Sequence, residues 1–345
     1  MIVHIGLGKT GTTSLQKAVF PRLVEEGVIE NYNPPQIMES LRRFVVTGEG
    51  GKELKTELSN LSDKTLISLE SLAGWNPAIW KQNASKNASI FPESSTIIIT
   101  LRDAESYLTS VYVQMLHQGS VMKPESFILS DPDYDMVAPL ARPSLCEVFK
   151  VDNLDFEYLV ELYKKRFSKV IVVPVSKLSG LGFISYLFEM PQSSLSNLRQ
   201  QFLNSKKENI SYSKRAVRLT FLRERLLSHF GLRSKSSHDR FFEMYSGESK
   251  WLPSAWNVRN KSILVKLYIK IRARCSWRFL MQQVVDRFFA YEKYQLPDHV
   301  PRGRSLDANN EYYRVLTELD RDYLVIEAGQ AADTRTQPFT NTSVD

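Results

Sequence analysis

Apolar residues along this chain gather into a few short continuous runs, separated by stretches in which they recur every three or four positions. The runs Ile2 to Ile5, Thr65 to Leu69, Ser95 to Leu101 (S-T-I-I-I-T-L) and Lys169 to Val175 are strand-sized and nearly uninterrupted. Such runs predict strands buried on both faces. Helical periodicity covers Thr12 to Glu26, with Leu15, Ala18, Val19 and Leu23 on one face and Pro21 expected to kink it or end its first part. It returns at Ile37 to Val46, Lys52 to Leu61, Ser106 to Gln118, Asp155 to Phe167 and Leu181 to Met190. Strand, helix and strand in repetition predict an α/β fold with a parallel β-sheet flanked by helices.

Beyond Asn209 the pattern becomes helical, at Ser213 to Phe230, Lys261 to Tyr291 and Asn309 to Leu324. The expected organisation is an α/β core over 1–208, a helical portion over 209–330 that completes the domain, and a polar, flexible tail over 331–345. Asn31 to Pro35 reads as a turn-rich connection. Gly119 to Pro143 carries four prolines and reads as a long irregular excursion of the kind that forms an acceptor loop or lid.

Charge adds a second division. The net charge of +7 conceals 23 Lys and Arg against 8 Asp and Glu between Arg199 and Arg304, with 22 against 30 elsewhere. A basic block attracts polyanions, whether a nucleotide, an acidic polysaccharide, an anionic membrane surface or nucleic acid. Two cysteines, Cys146 and Cys275, are too few for a disulfide framework, and five histidines without ligand spacing argue against a metal site. The opening apolar run leads straight into glycines and reads as a core strand rather than a targeting segment, and no run reaches membrane-span length. The expected location is cytoplasmic, with peripheral membrane contact through the basic helices.

The chemistry starts in Met1 to Gln16, M-I-V-H-I-G-L-G-K-T-G-T-T-S-L-Q. A strand feeding a glycine loop and then a helix aims backbone N–H groups at one spot, and hydroxyls follow at Thr10, Thr12, Thr13 and Ser14, so the stretch is an anion site. Gly6 to Gly11 fits the G-x-x-x-x-G half of the nucleotide phosphate loop, but Thr12 and Thr13 stand where that motif carries Lys and then Ser or Thr. The lysine lies inside the loop, as Lys9. A second motif, I-I-I-T-L-R-D-A-E-S-Y-L-T-S-V-Y from Ile97 to Tyr112, ends a strand at Arg102 and sets Ser110 eight residues on, in the following helix.

The string K-T-G-T-T-S-L-Q behind a strand strongly resembles the 5′-phosphosulfate loop of sulfotransferases, which use 3′-phosphoadenosine 5′-phosphosulfate (PAPS). Arg102 and Ser110 resemble the 3′-phosphate site of the same family, a guanidinium fork with one directional hydroxyl. More weakly, Leu159 to Leu178 and Asn209 to Val217 (N-I-S-Y-S-K-R-A-V) look like segments of bacterial, carbohydrate-type members. The chain departs from the family at Ala104 and Tyr107, where Pro and Arg are common, and at Ser176, where an acidic residue is frequent.

The resemblance implies a P-loop-like sulfotransferase fold and transfer of a sulfuryl group from PAPS to a hydroxyl or amine of a carbohydrate or glycolipid, without a metal. Lys9 would stabilise the leaving phosphate. Gly8, Lys9, Thr10, Gly11, Thr12, Thr13 and Ser14 would hold the 5′-phosphate, and Arg102 and Ser110 the 3′-phosphate, with Lys214 and Arg215 adding positive charge there.

An acceptor base is also required. Glu70 is favoured, because it follows a predicted strand at the edge where the loop and Arg102 also lie. His117 competes with it, whereas His4, inside a strand, reads as a packed core residue. Two other functions stay open. A phosphate-loop kinase or nucleotide hydrolase would want Lys beside Ser or Thr and a strand-ending aspartate for magnesium. A non-enzymatic polyanion-binding or membrane-surface protein would use the basic block, notably Ser262 to Tyr291, where Leu264, Leu267, Ile271 and Val285 mix with Lys266, Lys270, Arg272 and Arg274. Nucleic acid is not the expected partner.

Overall fold

A computed structural model of the chain describes residues 1–137, 146–204, 211–231, 277–289 and 291–327. Its strands are β1 (Ile2–His4), β2 (Asn31–Tyr32), β3 (Thr65–Ser68), β4 (Thr96–Leu101), β5 (Ile128–Leu129), β6 (Phe149–Lys150), β7 (Lys169–Pro174) and β8 (Leu324–Glu327). Among the described residues, six strands form one sheet in the order β2-β3-β1-β4-β7-β8, while β5 and β6 form a separate parallel pair. Of the pairings in the large sheet, that of β7 with β8 is antiparallel and the rest are parallel. The fold is therefore α/β with a mostly parallel central sheet, as the alternation of runs and periods predicts.

The near-continuous apolar runs have a direct cause in the layering. Successive side chains of a strand point to opposite faces, so Val3, Ile67, Ile97, Ile99, Val170 and Val172 enter one core while Ile2, Leu66, Ile98, Ile171 and Val173 enter the other. The first core is closed by the helices Pro35–Thr47, Trp80–Ile90, Ala104–His117 and Phe156–Lys164. The second is closed by Thr12–Ala18, Phe20–Glu25, Gly182–Phe188 and Gln192–Asn204. Among the described residues beyond 209, Tyr212, Ala216, Val217, Met281, Val285 and Leu316 pack into the first core.

The break expected from Pro21 falls at Val19, and Pro21 sits in the first turn of a second helix, Phe20–Glu25, where a missing N–H leaves no bond unmade. Several other expectations are corrected. Asn31–Tyr32 is an edge strand rather than part of a turn, locked by Asn33, whose Oδ1 accepts from the Ser68 amide at 2.7 Å. The 119–143 excursion contains the helix Pro124–Phe127, strand β5 and the helix Asp131–Val137. Buried Asn76 ties that region to strand β6, donating to Tyr134 Oη at 3.2 Å and to the Val148 carbonyl at 2.9 Å and accepting from the Lys150 amide at 3.2 Å. Residues 138–145 lie outside the described residues.

Among the described residues the last helix is Leu306–Glu318, and Leu324 instead begins β8, because L-V-I-E satisfies the open edge of β7. Of the helix expected from Lys261 to Tyr291, residues 261–276 lie outside the described residues, as does the tail over 331–345. The described part of that helix comprises Trp277–Leu280, a π-helical turn Met281–Val285, and Asp286–Phe288. No helix among the described residues is long and apolar enough to cross a membrane.

Candidate functional site

In this strand order the chain moves outward from β1 to opposite sides, so the crevice beyond the carboxyl ends of β1 and β4 is the switch point where open α/β sheets bind ligands. A cavity of about 970 Å³ opens there. The loop after β1 supplies Lys9, Thr12, Thr13 and Ser14 to its wall. Glu70 and Trp75 follow β3, Arg102 follows β4, and the next helix adds Ser110 and Gln114 with Gln118 at its end. Ser211, Tyr291 and Lys293 come from the C-terminal portion.

The loop is held by its own geometry. Lys9 and Gly11 both take the left-handed backbone conformation, with φ of 70° and 82°. That conformation is strained for a lysine by about 1–2 kcal/mol and persists only where the surroundings enforce it. Gly8 lies so close to the Trp75 ring that a Cβ there would collide with it. The Thr10 hydroxyl turns beneath the loop, donating to the Leu7 carbonyl and lying 2.7 Å from Thr100 Oγ1. Thr10 is therefore a support rather than a cavity-lining ligand, because the loop's left-handed turn directs its side chain into the sheet. His4 is a buried core residue beneath the same loop: its Nδ1 sits 2.8 Å from Ser68 Oγ, and burial drives its pKa down to about 3.

Lys9 and Glu70 are the chemically tuned pair. Burial lowers the Lys9 ammonium to about 8, with Arg278 and Arg102 adding repulsion and Glu70 opposing it. Burial raises the Glu70 carboxyl to about 7 against the attraction of Lys9. Lys9 Nζ donates to Gln114 Oε1 at 3.1 Å. A carboxylate and an ammonium whose pKa values approach each other near neutrality are suited to proton transfer and charge stabilisation.

Arg102 and Ser110 meet as their spacing predicts. Arg102 Nη1 donates to Ser110 Oγ at 3.1 Å and to the Lys9 carbonyl at 3.2 Å, so one guanidinium clamps the loop to the helix, and its other donors have no hydrogen-bond partner among the described residues. Asp103, next in sequence, caps that helix by accepting from the Ser106 amide at 2.8 Å. Among the described residues no group of three or more His, Cys, Asp or Glu is arranged to hold a metal ion.

The remaining candidates separate from the site. His117 is buried behind the cavity wall, its ring 3.8 Å from that of Tyr212, and its pKa is driven well down by burial and by the charges of Arg278 and Lys9. Lys214 pairs with Glu292 at 2.7 Å and Arg215 stacks on Phe289, so neither lines the cavity. Their helix begins at Lys214, capped by Ser213, which turns its first residues outward toward the Asp286–Phe288 segment.

Sequence reasoning missed Trp75, Gln114, Lys293 and Arg278. Only one signal was readable for these: Ser110, Gln114 and Gln118 repeat every four residues and form one polar helical stripe. No protein-family model matches the chain, and no curated protein matches it significantly.

Proposed function

We propose that this chain transfers a sulfuryl group from PAPS to an acceptor hydroxyl. The observation that carries the reading is the convergence, in one cavity, of an in-loop lysine, a desolvated carboxylate and an arginine–serine pair at the ends of adjacent parallel strands. PAPS has a phosphosulfate at one end and a 3′-phosphate at the other. The chain offers two donor groups to match, Lys9 with Thr12, Thr13 and Ser14, and Arg102 with Ser110. The P-loop-like sulfotransferase fold belongs to the same proposal and is supported by the parallel sheet and the loop after β1.

In the proposed reaction the bound donor supplies the sulfuryl group. Ionised Glu70 accepts the proton of the acceptor hydroxyl as its oxygen forms the new S–O bond. The old S–O bond to the bridging oxygen breaks, and its electron pair stays on the phosphate, where the Lys9 ammonium neutralises the charge. Thr13 and Ser14 orient the 5′ end, and Arg102 selects the 3′ end. Asp103 is spent as a helix cap and no Lys-Ser/Thr pair closes the loop, which favours this reading over magnesium-assisted phosphoryl transfer.

The test is to incubate the full chain with radiolabelled PAPS and a panel of hydroxyl acceptors, and to titrate it with 3′-phosphoadenosine 5′-phosphate by calorimetry. Saturable binding and labelled product are expected. Absence of nucleotide binding, or magnesium-dependent turnover of ATP in its place, would overturn the proposal.

A further inference from the structure

Three buried polar side chains stand where the strand pattern calls for apolar ones. His4, Ser68 and Thr100 follow Ile2, Leu66 and Ile98 on the face of the sheet that enters the second core, and each is buried. Each lies two residues before the point where its strand hands over to the site: Gly6, which opens the loop, Glu70 and Arg102.

Their polar atoms, with those of Gln16 and Thr10, form one continuous chain. Gln16 Nε2 donates to Ser68 Oγ at 3.0 Å, and Ser68 Oγ lies 2.8 Å from His4 Nδ1. On the other side of the ring, His4 Nε2 lies 3.5 Å from Thr100 Oγ1, the longest link. Thr100 Oγ1 lies 2.7 Å from Thr10 Oγ1, which donates to the Leu7 carbonyl. The two ends fix the direction of every proton. A carbonyl only accepts, so Thr10 gives its proton to Leu7 and must accept from Thr100, which in turn must accept from a proton on His4 Nε2. An amide NH2 only donates, so Ser68 accepts from Gln16 and passes its own proton to His4 Nδ1. Both ends independently demand the same neutral tautomer, and burial, which drives the ring's pKa down to about 3, keeps it neutral.

The chain ends on the turn that presents Lys9. The Thr10 amide closes that turn by donating to the Leu7 carbonyl at 3.3 Å, with Lys9 in its third position at a φ of 70°, a conformation that glycine usually takes there. The Thr10 hydroxyl adds a second hold on the same carbonyl. Gly6 lets the chain pass, since a Cβ there would lie 2.4 Å from Thr100 Oγ1 and 2.6 Å from His4 Nε2. A strained lysine thus stands on a carbonyl that the ring secures through two threonines.

We infer that His4 is a positioning residue for Lys9, carrying a one-way hydrogen-bond chain from Gln16 to the Leu7 carbonyl that holds the strained turn. His4 does not line the cavity and acts through the loop. The task of Lys9 rests on the sulfuryl-transfer reading; the tautomer and the hold on the turn do not.

The first test is long-range proton–nitrogen NMR of the full chain, labelled at its histidine nitrogens, at about pH 7. The His4 ring, assigned by its absence from His4→Gln, is expected to be neutral with its proton on Nε2. A charged ring, or a proton on Nδ1, overturns the chain. The second test follows Lys9 by acetic anhydride labelling and mass spectrometry without nucleotide, read against exposed Lys81. Thr100→Val keeps the shape and removes the hydroxyl, so it should speed Lys9 acetylation by about fivefold, the worth of one hydrogen bond, and Thr100→Ser should not. In sulfuryl transfer, Thr100→Val should lower kcat by about tenfold or more with the KM for PAPS held within about twofold, and Thr100→Ser should restore it. Equal Lys9 labelling in the wild-type chain and Thr100→Val, a kcat that Thr100→Val leaves unchanged, or a Thr100→Ser variant that matches Thr100→Val overturns the positioning role. A wild-type chain that shows the tautomer and the labelling difference but no turnover of PAPS sinks the sulfotransfer reading alone.

Discussion

The Lys9 ammonium donates to Oε1 of Gln114 across 3.1 Å, so a neutral amide from the neighbouring helix holds the loop's one cation in the cavity. Burial and Arg278 both push Lys9 toward its neutral form, and a hydrogen bond accepted from the charged form opposes them. Gln114→Leu is expected to lower the Lys9 pKa further below about 8, moving the alkaline limb of kcat/KM by about one pH unit. Gln114→Glu should move it the opposite way. An alkaline limb that stays in place in both variants would show that another group sets it.

Glu70 and Lys9 together predict the whole pH profile. Proton abstraction needs Glu70 ionised, above about 7, and charge neutralisation needs Lys9 protonated, below about 8. Activity is expected to form a narrow bell between those values. Glu70→Gln should lower kcat by about 10²–10⁴ and abolish the acid limb, whereas Lys9→Met should lower kcat by about 10²–10³. A variant at Glu70 that kept both the rate and the acid limb would remove it as the base.

Much of this site is legible in the chain because a parallel sheet buried on both faces demands β-branched runs, and those runs fix where their carboxyl ends fall. Lys9, Glu70 and Arg102 each follow such a run, so their meeting needs only the strand order. The helix Trp80–Ile90 was not legible, because Asn83 and Asn87 occupy its buried face, where they donate to the Ala73 and Leu72 carbonyls. Hydrophobic periodicity cannot register a face filled by asparagine. Arg278 and Lys293 reach the site through tertiary packing of segments about 270 residues after the loop, which no local pattern encodes. The β8 strand was hidden for the same reason, since its partner edge decides it.

The Arg102–Ser110 hydrogen bond predicts discrimination between nucleotides. Lysine in place of arginine loses the planar fork and the bond to the Lys9 carbonyl, whereas alanine in place of serine loses one hydroxyl. Arg102→Lys should weaken binding of 3′-phosphoadenosine 5′-phosphate by about 10–100-fold and Ser110→Ala by about threefold to tenfold. Affinity for AMP, which has no 3′-phosphate, should fall much less in each variant. Competition calorimetry with the two nucleotides measures the difference, and a parallel loss for both would assign Arg102 to loop structure alone.

Desolvation of Glu70 also carries a stability cost that a single substitution exposes. Its folded pKa of about 7 lies above the ordinary glutamate value of 4.5, so the folded protein binds the extra proton between those values and loses stability as pH rises through that window. Above pH 7 the penalty is complete; below 4.5 both states hold the proton and it vanishes. Glu70→Gln keeps the shape and removes the charge, and it is expected to stabilise the protein by about 1–3 kcal/mol at about pH 8 and by close to nothing at about pH 4. Urea denaturation at the two pH values measures it. A gain of equal size at both would trace to packing, whereas a gain confined to the alkaline condition, in the variant that has lost its acid limb, would show that the fold tolerates a destabilising carboxylate at the position where the proposed chemistry requires one.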